Sequence, residues 1–535
     1  MARQFGALII ALVLLNLLMA GCGGRNQQTG VNISNQISTN NTTQNLSQIT
    51  NTTVKPYPFD NKNMFFGWSI ISKDETSYVK DLGMSWASLQ PHAIWFQIEK
   101  EPGVYDWSKL DEEVKWLQEI DADITIVHSY LYNSFDPAVR AQVAGKILEI
   151  MQERGSGNIG DAFIAFNREY NGPETYGLTI DPLDPNDEKM PYLVNFVNAC
   201  AERYDGDGID DMPGLKYSVR VHHIVEEWHA EDPDEYLAFL KKLSPSIKQA
   251  NPDAKIMIPG LYMPNFGRLY AYSEGYIDDP DAGVWKGIKF TRGQLNNSTA
   301  LQNGKESWEK ILRDGKDYFD IVDLHLYVEK ETFMEGEIEY VKDTMKKYGY
   351  EKPIWCIEGG GAFKNPADRP DDPAGDSYFG TATDKEDAEY VVKFHAMSAA
   401  MGLERQHWGI GGNQGGGYWT GPWYHMALRD TKPNYYTYKI MREKLGDFTI
   451  GDVDDLSFNN TRLFEFDVNG TEVYVAWNFN ESEVETDLSS YLGSGTVEIT
   501  YIVTEMNGNS PMIKNPDQKS ANSVPLSITP VFIEK

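Results

Sequence analysis

A chain of 535 residues is too long for one ordinary domain, and its 41% hydrophobic and 24% charged content is that of a globular protein. A formal net charge of −31 argues against nucleic acid and against an anionic membrane surface as partners, and predicts an acidic, well-solvated exterior. Three cysteines exclude a disulfide framework: Cys22 lies near the start, and Cys200 and Cys356 sit in runs that predict buried core thiols.

In chain order, Arg3 precedes an apolar run from 5 to 18, and Leu18-Met-Ala-Gly-Cys22 follows as a small-residue cleavage site. Residues 1–21 thus resemble a bacterial or archaeal lipoprotein signal peptide. The resemblance implies export, a lipid on Cys22 and anchoring on the outer face of the cell membrane. A plain signal peptide or an uncleaved anchor is the alternative. The run is shorter than the roughly 20 residues of a spanning helix, and no later segment reads as transmembrane. Membrane attachment is therefore expected only through the N-terminal lipid or leader. Residues 22–59 are rich in Asn, Thr, Gln and Ser and cannot bury a core, which predicts a disordered tether. Asn32, Asn41, Asn45 and Asn51 begin glycosylation sequons within it.

From about residue 60 short apolar runs alternate with longer helical stretches. Strands are predicted at 65–71, 86–90, 124–129, 219–225, 255–259, 321–327, 354–357 and 406–410. Between them, Leu110, Val114 and Leu117 recur at helical spacing, as do Tyr236, Leu237, Leu240 and Leu243. Ile338, Val341 and Met345 mark another helix, and Val391, Phe394 and Met397 a further one. Eight strands alternating with helices predict a (β/α)₈ TIM barrel over 60–446, with a doubly wound sheet as the alternative. Long segments at 152–190, 262–305 and 359–385 carry the excess length and are expected to shape a cleft. Over 447–535 the pattern alternates at period two, with Asn469-Gly470 as a hairpin signal, and predicts a small C-terminal antiparallel β-sandwich.

Two strand ends carry carboxylates. The run HHIVEEW places Glu226 and Glu227 after the fourth strand, and KPIWCIEGGG places Glu358 at the end of the seventh. In a barrel both ends open on the face that holds the active site. Two facing carboxylates are the minimum equipment for hydrolysing a glycosidic bond. A second acidic motif, Asp205-Gly-Asp207-Gly-Ile-Asp210-Asp211, resembles calcium loops, in which oxygen ligands alternate with Gly-permitted turns; an acidic turn is the other reading. No His/Cys cluster predicts zinc and no Gly-rich loop follows a strand in phosphate-binding form, so no cofactor is expected to be required, with a structural calcium on the acidic motif as an option rather than a need.

The placement of Glu227 and Glu358 resembles the clan A glycoside hydrolases, the 4/7 barrels. Three further stretches add to the likeness. Glu101-Pro-Gly-Val-Tyr-Asp-Trp-Ser108 with Asp111 is similar to the segment after their second strand. Asp323-Leu-His-Leu-Tyr327 is similar to their sixth strand, and Lys432-Pro433 with Tyr438 to the approach to their last helix. β-Xylosidase-like and endoglycanase-like members also carry a sandwich after the barrel. The resemblance implies a retaining mechanism on oligo- or polysaccharides, most simply β-linked, with the two carboxyls about 5 Å apart. By position Glu358 is the nucleophile and Glu227 the acid/base, with Trp228 beside it and Glu226, one residue earlier, as the alternative acid. Tyr327 is expected to orient Glu358, and His325 to contact sugar hydroxyls or Glu227. Trp408 is expected to lie under the sugar and His128 to line the same pocket. Two positions depart from the pattern. Glu226 stands where the family has an Asn that binds the sugar 2-hydroxyl, and Ser88 stands where Arg is usual. An ionised Glu only accepts hydrogen bonds, and three clustered carboxylates predict that one is protonated. A non-catalytic carbohydrate-binding barrel on the cell surface is the competing reading.

Overall fold

The computed structural model describes residues 55–535 apart from 61, 70–72, 74–75, 89–90, 129–131, 155–161, 163–164, 167–174, 226–231, 262–265, 286–287, 329, 361–382, 409–427 and 429. The eight predicted strands form a closed, all-parallel barrel: β1 Phe66–Ser69, β2 Trp86–Ser88, β3 Asp123–His128, β4 Val221–Ile224, β5 Lys255–Leu261, β6 Ile321–Leu326, β7 Ile354–Gly359 and β8 Arg405–His407. Each strand pairs with the next, and β8 closes on β1 with Phe66 opposite Gln406. The doubly wound alternative is thereby excluded.

The helices lie outside because their apolar stripes match the outer faces of the strands. In α1 Ser108–Glu119, Leu110, Val114 and Leu117 are buried, and in α2 Met190–Arg203, Leu193, Phe196, Val197 and Cys200 are. The same spacing buries Tyr236, Leu240 and Leu243 of α3 Pro233–Ala250, and Ile338, Val341 and Met345 of α4 Glu331–Lys347. α5 Asp384–Ala400 opens on a capping box, Thr383 with Glu386, and α6 Pro433–Leu445 ends the barrel. Each fully buried Leu, Val, Ile or Phe contributes about 1.5–3 kcal/mol of burial energy.

The barrel interior is packed from the floor upward. Trp86, Val221, Met257, Ile321, Trp355 and Ile357 fill it, with Phe59, Met64 and Tyr217 closing it below. Trp86 crosses β1 at Gly67, where a Cβ would lie 2.1 Å from the indole; only glycine leaves that room. Beside this layer Arg405 pairs with Asp123 at 2.6 Å, and its guanidinium lies 3.9 Å from the Trp355 ring centroid. A guanidinium and a carboxylate this deep hold only because each has its partner.

The C-terminal part is an antiparallel sandwich. Its large sheet orders 448–455, 461–468, 471–478, 531–534, 496–501 and 517–520, and a small pair, 484–486 with 524–526, lies beside it. Asn469 and Gly470 both have positive φ, 54° and 81°, as a two-residue turn of this hand requires. Period-two alternation gives the large sheet two apolar faces. Phe464, Phe466, Val473, Val475 and Trp477 join the barrel core, while Leu463, Tyr474, Ala476 and Ile499 form the sandwich's own. Polar ties seal the junction: Trp477 Nε1 donates to Glu331 Oε1 at 3.1 Å, and Arg462 meets Glu335 at 2.8 Å.

Candidate active site

On β6 and just past it, alternation puts Ile321, Asp323, His325 and Tyr327 on the inner side, while Val322, Leu324, Leu326 and Val328 pack under the helices. On β7 that parity breaks. Leu324 lies opposite Cys356, yet His325 lies opposite Glu358, so β7 carries one extra residue here. Such a bulge re-aims the side chain beyond it. Without it Glu358 would share the outer face with Cys356. With it, Glu358 turns to His325 and Tyr327.

The resulting group is compact and buried. Glu358 is 8% exposed, and Tyr327 Oη donates to its Oε2 at 2.8 Å. His325 Nδ1 lies 3.5 Å from the same oxygen, and His325 Nε2 lies 2.9 Å from Asp323 Oδ2. Asp323, fully buried, also accepts the Ile357 backbone N–H at 3.1 Å, which ties β6 to β7 below Glu358. Among the described residues no Lys or Arg forms an ion pair with Glu358. Beyond it the chain turns at Gly360, whose φ is 108° and whose Cβ would lie 2.8 Å from the Trp408 indole. A carboxylate held by a hydroxyl at the carboxyl end of a barrel strand is placed to attack or to take a proton.

Two more histidines line the interior. His223 on β4 and His407 on β8 are fully buried. Burial first, then the neighbouring rings of His325 and His92, pushes His223 down to about 3. Burial, then His395 and His325, holds His407 well below the usual imidazole range. Both rings are neutral near pH 7.

His128 and Trp408 do not join this group. His128 continues the side of β3 that carries Ile124 and Ile126, faces the helices, and meets His222 Nδ1 through its Nε2 at 3.0 Å. It is a core histidine, not a cleft residue. Trp408, one residue beyond inward-facing His407, is fully buried against α5, its ring centroid 5.8 Å from Phe394 and 6.0 Å from His395. That packing makes it a wedge between barrel and helix rather than a platform under a sugar. Glu226, Glu227 and Trp228 lie outside the described residues. Val225, immediately before them, has φ 62°, a strained backbone for a β-branched residue, and its N–H donates to His128 O at 3.0 Å.

The acidic loop follows α2. One carboxylate oxygen each from Glu202, Asp205 and Asp207 lies within 4.8 Å of the other two, a set with the oxygen chemistry calcium takes. Asp211 is instead spent on the loop's own backbone, accepting from Gly206 at 3.0 Å and Gly208 at 3.1 Å. Asp210 is not in the three-carboxylate set; its φ is 48°. Burial, with the charges of Asp207, Glu202 and Asp211 added, raises Asp205 to about 7.

Two residues escaped the sequence reading. Asp323 sits two places before His325 and so on the same strand face, but only the fold shows the two side chains paired. Glu202 belongs to the last turn of α2 rather than to the loop motif, and only the fold brings it in.

No protein-family model and no curated protein matches the chain. Solved structures match it over most of its length. A glucosidase from Croceicoccus marinus is 8% identical, over 89% of this chain and 96% of its own, with a TM-score of 0.46. A bifunctional glucanase-xylanase from a metagenome library is 12% identical, over 88% and 95%, with a TM-score of 0.49. A family 44 xyloglucanase from Paenibacillus polymyxa is 12% identical, over 88% and 96%, with a TM-score of 0.47. Identities this low carry no chemistry from those proteins to this chain, so the functional argument rests on its own residues.

Proposed function

We propose that this protein is a retaining glycoside hydrolase acting on β-linked oligo- or polysaccharides at the cell surface. The observation that carries the reading is Glu358 at the mouth of the barrel, buried, re-aimed by the β7 bulge and held by Tyr327. In this mechanism the Glu358 carboxylate attacks the anomeric carbon while Glu227 gives a proton to the leaving oxygen. A covalent glycosyl ester forms on Glu358. Glu227 then takes a proton from water, which opens the ester and restores both groups. The leader and Cys22 would export and anchor the chain, and Glu202, Asp205 and Asp207 would hold a structural calcium.

A panel of aryl β-glycosides tests this. Turnover lost in Glu358→Ala and restored by azide supports a nucleophile at that position. No turnover on any substrate, with sugar binding unchanged in the variant, refutes the enzyme reading. Glu226 and Ser88, in place of the Asn and Arg of similar barrels, favour a second reading, a carbohydrate-binding barrel without catalysis. That second result would establish it.

A further inference from the structure

Three histidines face the barrel interior from alternate strands: His223 on β4, His325 on β6 and His407 on β8. Barrel interiors are normally layered with branched apolar side chains. A buried imidazole is neutral unless something repays its desolvation, and these three differ in what surrounds them. Among the described residues His223 and His407 pair with no carboxylate, and burial drives both towards the neutral form. His325, 2% exposed, has a carboxylate oxygen at each ring nitrogen: Asp323 Oδ2 at 2.9 Å from Nε2 and Glu358 Oε2 at 3.5 Å from Nδ1. The attraction at these distances is one of charge and does not depend on hydrogen-bond angles: two carboxylates this close favour the imidazolium over the neutral ring.

We propose that Asp323 is a positioning residue that holds His325 as an imidazolium between itself and Glu358, making His325 the counter-charge of the Glu358 carboxylate. This goes beyond the proposed glycosidase reading by naming what neutralises the nucleophile, and it rests on that reading only for its catalytic meaning. Among the described residues no Lys or Arg pairs with Glu358, and the His325 ring is the group beside it that can carry a positive charge. Asp323 suits the task. Its second oxygen is fixed by the Ile357 N–H at 3.1 Å, so its carboxylate and the His325 ring keep their register across the bulge. Among the described residues, the groups facing His325 include Asp323 and the Tyr327 hydroxyl from its own strand, Glu358 from β7, and the uncharged rings of His223 and His407. The two negative charges favour the charged ring.

Long-range ¹H–¹⁵N NMR of ¹⁵N-histidine-labelled protein reads the charge without needing a substrate. His325→Gln assigns the signal. The wild type is expected to show His325 with both nitrogens protonated at pH 7 and above, while His223 and His407 stay neutral. Asp323→Asn should lower the pH at which His325 loses its proton by about 1–3 units, the usual effect of removing an adjacent opposite charge. Glu358→Gln should lower it less, its contact being longer. A neutral His325 at pH 7 in the wild type overturns the proposal, as does a titration that neither substitution moves. Should Asp323→Asn fold poorly, the wild-type spectrum and Glu358→Gln still decide. Inactivity on every glycoside with a charged His325 would sink the glycosidase reading and leave this one standing.

Discussion

Replacing Tyr327 with Phe removes one hydroxyl and leaves the ring. The oxygen removed donates to Glu358 Oε2 at 2.8 Å, and the two side chains are 6% and 8% exposed. His325 Nδ1 remains, but at 3.5 Å. A hydrogen bond to a charged group is worth about 1.5–3 kcal/mol net. If Tyr327 holds the carboxylate on line with the anomeric carbon, that loss falls on the transition state. At about 1.36 kcal/mol per tenfold, kcat/KM drops about 10- to 150-fold. Stability should change by less than about 1 kcal/mol, because the ring still packs and cleft water can reach the freed oxygen. The assay is initial rates on the best aryl β-glycoside beside a thermal melt. A kcat/KM within threefold of wild type refutes the orienting role. A large loss of melting temperature in parallel with activity refutes it differently, by making the hydroxyl structural.

Acid should destabilise this fold. Burial lowers His222 to about 4, and His223 and His395 to about 3, all below the unfolded value near 6.5. Their folded-state pKa values are depressed, so the stability they contribute is present above about 6.5 and is lost as pH falls towards 4 and 3. Each adds about 1.4 kcal/mol per pH unit within that window. A melting temperature equal at pH 7 and pH 5 contradicts this. His395→Phe should flatten the slope, since that ring stacks on Phe66 at 5.6 Å and replacing it removes one titrating group. Gly67→Ala should cost about 1–3 kcal/mol in denaturant titration, because its Cβ would lie 2.1 Å from the fully buried Trp86 indole; a neutral result would show that Trp86 can move. Ca²⁺ should raise the melting temperature, and the gain should shrink below about pH 7, where Asp205 takes up a proton. Asp207→Asn should abolish the gain; an equal gain in that variant rules out the loop as the binding site.

The barrel was legible because its strands are continuous apolar runs and its helices carry clean 3.6-residue stripes, as Leu110, Val114 and Leu117 show. The sandwich was legible from period two and from Asn469-Gly470. What was not legible was parity at strand ends. β8 is only three residues long, so whether Trp408 faces the cleft or the helix turned on one residue. His128 shares its face with Ile126, a pattern available in the sequence but outweighed by the pull of a histidine near a cleft. On β7 alternation alone would have pointed Glu358 the wrong way, and the bulge that corrects it has no signature in IWCIEG. Tyr327 beside Glu358 was expected from the resemblance. Asp323 beneath His325 was not, because a buried Asp declares itself only through its partners.

In the proposed mechanism Glu358 forms a covalent bond to the sugar. An activated 2-deoxy-2-fluoro β-glycoside slows breakdown of such an ester and lets it accumulate. Incubation followed by mass spectrometry of the intact chain and of its peptides should show one added sugar, located on the peptide that carries Glu358 and absent from Glu358→Gln. A label on another carboxylate, or steady turnover of the parent glycoside with no trapped ester, contradicts the central claim.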